Sequence, residues 1–161
     1  MIDSNINYNG LVEIYARTRG GKKLLLERHN NGTPRLFSFL CFTLTGRGGI
    51  DYLPSQIILA KGTPGTDLTP VMSSPSTITS SYRDDLINPS AVFTGIIASY
   101  QISDPTIASD NLYLCLLDSN KTESSIDTRL LAYVQVSDSL NNIPTGTVLS
   151  VEWNLGFSNP S

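Results

Sequence analysis

The chain reads as mainly β: an antiparallel, jelly-roll-like sandwich with one short helix near residues 33–45. Three observations predict this. Apolar, β-branched and aromatic residues gather in short runs bounded by Gly, Pro, Asn, Asp and Ser, spaced as sandwich strands are. In the last run Leu149, Val151, Trp153 and Leu155 alternate with Ser150, Glu152 and Asn154, which places Trp153 in the core. A single segment carries both a helix start and a helix stop.

In chain order, Leu11–Arg17 and Lys22–His29 form a hairpin about Gly20-Gly21. The second arm contains Leu24-Leu25-Leu26, which breaks alternation and suggests that both of its faces are covered. Asn30-Asn31-Gly32 then ends the strand. Gly32 is expected at positive φ in an immediate strand-to-helix turn, with His29 and Asn30 bonding the backbone groups released there. Thr33 serves as N-cap, Pro34 takes the first helical position, and Gly46 closes the helix.

From Leu36 to Leu44 the helix is apolar around most of its circumference. It is therefore either core throughout or shared with a neighbouring subunit, with Phe39 and Phe42 as the outward-facing candidates. Further strands are expected at Gln56–Ala60, Ala91–Ile102, Leu112–Leu117, Leu130–Val136 and Val148–Phe157, with an edge strand or arm over Val71–Ser81. Seven to nine strands result. No repeat or linker divides the chain, so residues 1–161 are read as one domain.

Composition narrows the function classes. Eleven Lys and Arg oppose 14 Asp and Glu, and charged residues make up 16% of the chain, whereas Ser, Thr and Asn number 20, 15 and 12. A net charge of −3 without a long basic block argues against a nucleic-acid binder. No apolar run is long enough to span a bilayer, and Met1-Ile2-Asp3-Ser4-Asn5 lacks the features of a signal peptide. Cys41 and Cys115 are far apart, each within an apolar stretch, and are read as buried free thiols from a cytoplasmic synthesis.

No motif carries chemistry. His29 is the only histidine, with no ligand spacing around it. Asp118-Ser119-Asn120-Lys121-Thr122 imitates the opening of a calcium loop, but Glu123 stands where Gly is required and Arg129 where a bidentate Glu is required. Asp84-Asp85 are neighbours on opposite faces of an extended segment and cannot flank one bond. Gly46-Arg47-Gly48-Gly49 follows a helix, the wrong order for a phosphate cradle, and no G-x-S-x-G elbow is present. No catalytic residue, metal site or cofactor is expected.

Two stretches taken together carry a resemblance. One is His29-Asn30-Asn31-Gly32-Thr33-Pro34-Arg35-Leu36-Phe37 with the helix to Gly46. The other is the C-terminal half, with Ala91-Val92-Phe93-Thr94-Gly95, Asn111–Leu116, Leu130-Leu131-Ala132-Tyr133 and Leu149–Phe157. Their order is similar to small virion proteins of tailed bacteriophages, of collar, tail, baseplate or head-attached type, the crAss-like gut phages among them. The resemblance implies a non-enzymatic β-sandwich subunit, made in the host cytoplasm and built into the virion. Its partners would be further copies of itself and other virion proteins, meeting through the helix and through sheet edges or the 70–90 arm. The alternative is a carbohydrate- or receptor-binding module of a phage fibre, using exposed tyrosines such as Tyr82 and Tyr100.

Overall fold

Ten strands and two short helices make up the described parts of the computed structural model, which covers residues 7–46, 53–71, 76–83, 90–100, 112–119, 125–136, 143–144 and 146–158. The first hairpin is β1 (Asn7–Thr18) and β2 (Gly21–His29), followed by the two-residue β3 (Asn31–Gly32) and helix α1 (Pro34–Leu44). Then come β4 (Pro54–Lys61), the two-residue β5 (Thr69–Pro70), β6 (Ser76–Arg83), β7 (Ser90–Tyr100) and β8 (Leu112–Asp118). A single helical turn, α2 (Ile126–Arg129), leads into β9 (Leu130–Gln135), and β10 (Thr147–Ser158) closes the series.

The strands form two antiparallel sheets of five, as the alternating runs predict. The first sheet has the order β2-β1-β10-β7-β6; the second has β4-β8-β9-β3, with β5 also paired to β4. Two segments serve both sheets. Ser76 and Thr77 at the start of β6 pair with β4, while Ile78 to Arg83 pair with β7. At the other corner the chain leaves β2 at Asn30, whose N–H donates to the Gly10 carbonyl at 3.0 Å, and continues as β3 against Tyr133 and Ala132 of β9. Corners of this kind are made by strands that bend from one sheet into the other.

Between the sheets lies the main core, built on Ile14, Leu36, Ile57, Leu59, Leu114, Leu116, Leu149, Val151 and Trp153. Trp153 is fully buried between Val12 and Phe93 in the first sheet, as the alternation of its strand requires. A second cluster, with Ile58, Cys115, Leu117, Ile126 and Leu130, occupies the outer face of the second sheet beneath α2. β4 and β8 are thus covered on both faces, which accounts for their unbroken apolar runs.

Several expectations need correction. The α2 turn was not expected, and it lies directly before the strand predicted from Leu130. The Leu24-Leu25-Leu26 run does not mark a strand covered on both faces. A bulge opposite Ile14 and Tyr15 turns Leu26 inward and leaves Leu24 47% exposed on the outer face. Cys115 is buried, but Cys41 is exposed on α1.

Candidate functional site

The strand-to-helix junction is the segment that the sequence singles out. Gly32 is not a left-handed turn residue there: it pairs in strand geometry with Ala132, and among the described residues the glycines at positive φ are Gly21, Gly46, Gly62, Gly65 and Gly146. The turn is absorbed by the two-residue β3. Thr33 stands before the helix, and its carbonyl accepts from the N–H groups of Leu36 and Phe37 at 3.0 and 3.4 Å. Its hydroxyl is directed to the Leu130 and Leu131 carbonyls at 2.6 and 3.0 Å, so Thr33 tethers α1 to β9. Pro34 opens α1, and Gly46 ends it at φ 70°, the left-handed position that favours glycine. His29 is exposed at the end of β2, whereas Asn30 is buried.

On α1 the inward face is Leu36, fully buried, with Phe39 and Leu40 packed against the main core. Phe39 is therefore not the outward phenyl; spacing of three and four residues from Leu36 carries it toward the sheet. Among the described residues the outward phenyl is Phe37, 46% exposed, with Ser38 and Cys41 beside it. The side chain of Phe42 lies outside the described residues, as do those of Tyr82 and Tyr100. Asp84-Asp85, residues 120–124 and the Arg47-Gly48-Gly49 loop also lie outside them.

α1 is held by a second device that the sequence did not reveal. Asp118, at the end of β8, is fully buried, and its carboxylate accepts from the Arg35 guanidinium of α1. Arg129 of α2 approaches the other carboxylate oxygen at 3.6 Å and donates to the Asp118 carbonyl. The same guanidinium donates to Gln56 of β4 at 2.9 Å. One buried carboxylate thus ties both helices to the second sheet. It is the first residue of the calcium-like stretch, and its oxygens are engaged by guanidinium groups. Nearby, Asp127 accepts from the N–H groups of Gly65 and Leu68 at 2.7 and 2.8 Å, pinning the loop that covers the outer cluster.

The outer face of the first sheet carries the other charged assembly. Glu13 lies directly opposite Glu27 on β2 and Glu152 on β10. Tyr15 donates its hydroxyl proton to Glu13, while Lys22 sits 4.7 Å from the Tyr15 ring and 3.4 Å from Glu152. The Tyr15 phenol is pushed up to about 12, chiefly by the bond to Glu13 and then by burial and the three surrounding glutamates.

Among the described residues, no group of three His, Cys, Asp or Glu side chains is placed to hold a metal ion. No described helix is long and apolar enough to cross a membrane. No family model, curated protein or solved structure matches the chain.

Proposed function

We propose that the chain is a non-enzymatic structural subunit of a tailed-phage particle, assembling with copies of itself and with other virion proteins in the collar, tail or head-attached apparatus. The observation that carries this reading is the outer side of α1. Phe37, Ser38 and Cys41 are exposed there, and no charged residue occurs from Leu36 to Gly46. Such a face is poorly suited to water and well suited to a neighbouring protein. The Thr33 and Arg35 tethers hold it rigid against the second sheet, so little order has to be gained on contact.

The test is assembly. Phe37→Asp should leave the circular dichroism spectrum and melting midpoint unchanged while removing the protein from purified particles. A wild-type chain absent from virions and indifferent to Phe37→Asp would overturn the reading.

A further inference from the structure

The registers of the first sheet set its outer side chains in three parallel rows. Glu27, Glu13 and Glu152 form an acidic row across β2, β1 and β10. Two residues along the strands, about 7 Å away, Leu24, Tyr15 and Ile96 lie in an apolar row, with Ser150, itself buried, between the last two. Two residues further, Lys22 is opposite Arg17 in a basic row. The bulge in β2 makes this order possible, because it keeps Leu24 and Glu27 on the same face.

Leu24 and Ile96 are 47% and 42% exposed, and they are two of the four large apolar side chains exposed among the described residues. Arg17 is exposed and has no carboxylate partner among them. Among the described residues Lys22 leans across the Tyr15 ring to Glu152, so a single cation meets a row of three carboxylates, an arrangement that repels.

We propose that this face pairs with the same face of a second copy, about a two-fold axis lying along the Leu24–Tyr15–Ile96 row. That rotation lays the apolar row on itself and sets each copy's acidic row over the other's basic row, with Glu13 facing Arg17, while Lys22 stays on the Glu152 of its own copy. An axis parallel to the strands would instead stack acid on acid, so the charges select the axis. A two-fold contact needs one self-complementary patch, and acidic, apolar and basic bands in sequence form such a patch.

The experiment is sedimentation velocity on the full chain, with circular dichroism as a control for folding. Wild type should dimerise. Arg17→Glu and Glu13→Arg should each raise Kd about tenfold or more, and an equimolar mixture should dimerise again, since each contact then joins opposite charges. Leu24→Ser, at an exposed position, should weaken the dimer without altering charge. A monomeric wild type, a Kd indifferent to Arg17→Glu, or a mixture that stays monomeric would overturn the proposal. Binding of duplex DNA by a monomeric wild type, lost in Arg17→Glu, would overturn it in favour of an anionic partner. The pairing stands apart from the particle reading: α1 packs on the second sheet, so Phe37→Asp should leave this dimer intact.

Discussion

Gly95 of β7 lies so close to Ile57 of β4 that a β-carbon at position 95 would stand 2.9 Å from the Ile57 Cδ1 atom and 3.3 Å from Ile78 Cγ2. This is the corner where β6 passes between the sheets, and a side chain at position 95 would have to push the end of Ile57 aside. Gly95→Ala should cost about 1–3 kcal/mol of stability, the range for overpacking a filled core. Urea unfolding measures it; an unchanged midpoint would show that Ile57 swings aside freely.

Trp153→Ala should cost about 3–5 kcal/mol, because the ring is wholly buried in the core between the sheets. Its indole N–H has no acceptor among the described residues, so packing accounts for the loss. A cost below about 1 kcal/mol, typical of surface changes, would contradict the inward placement of this strand.

Asp118→Ala should destabilise by about 2–3 kcal/mol. This is less than the ~3–5 kcal/mol of a fully buried pair because the Arg35 and Arg129 side chains remain 23% and 18% exposed. In the Asp118→Ala background, Arg35→Ala should add little further loss, since the carboxylate it served is gone. Two independent, additive losses in a denaturation cycle would show that the residues act separately.

One phenol should titrate near pH 12 in an alkaline absorbance titration. The folded value lies above the ordinary 10, so the contribution of Tyr15 to stability is complete below pH 10 and is lost as pH rises through 12. Glu13→Gln should bring that phenol back toward 10, and Tyr15→Phe should remove the late component altogether.

Cys41 should react promptly with a thiol reagent under native conditions, while Cys115 should wait for unfolding. Burial pushes the Cys115 thiol up and denies the reagent access. Rapid modification of two thiols in folded protein would place Cys115 nearer the surface.

The strands and the limits of α1 were legible because their signals are local. Alternation fixes which side of β10 faces inward, and Thr33-Pro34 and Gly46 bracket a helix without reference to anything distant. Other features depend on partners far along the chain. Gly32 looks like a turn until it pairs with Ala132, and Asp118 looks like a loop residue until Arg35, 83 positions earlier, reaches it. Phe39 turns inward, against expectation, for a related reason. An almost uniformly apolar helix gives no phase, and only packing on β9 turns Phe39 in and leaves Phe37 out.

The pairing of Asn7 with Ser158 brings the beginning of β1 and the end of β10 side by side. A pull applied between these two points would part the strands like a zip, rupturing one pair of hydrogen bonds at a time instead of shearing all of them together. The fold therefore resists tension poorly when it is applied between these two strand ends. Any scaffold that loads this fold mechanically should not carry the force between the start of β1 and the end of β10.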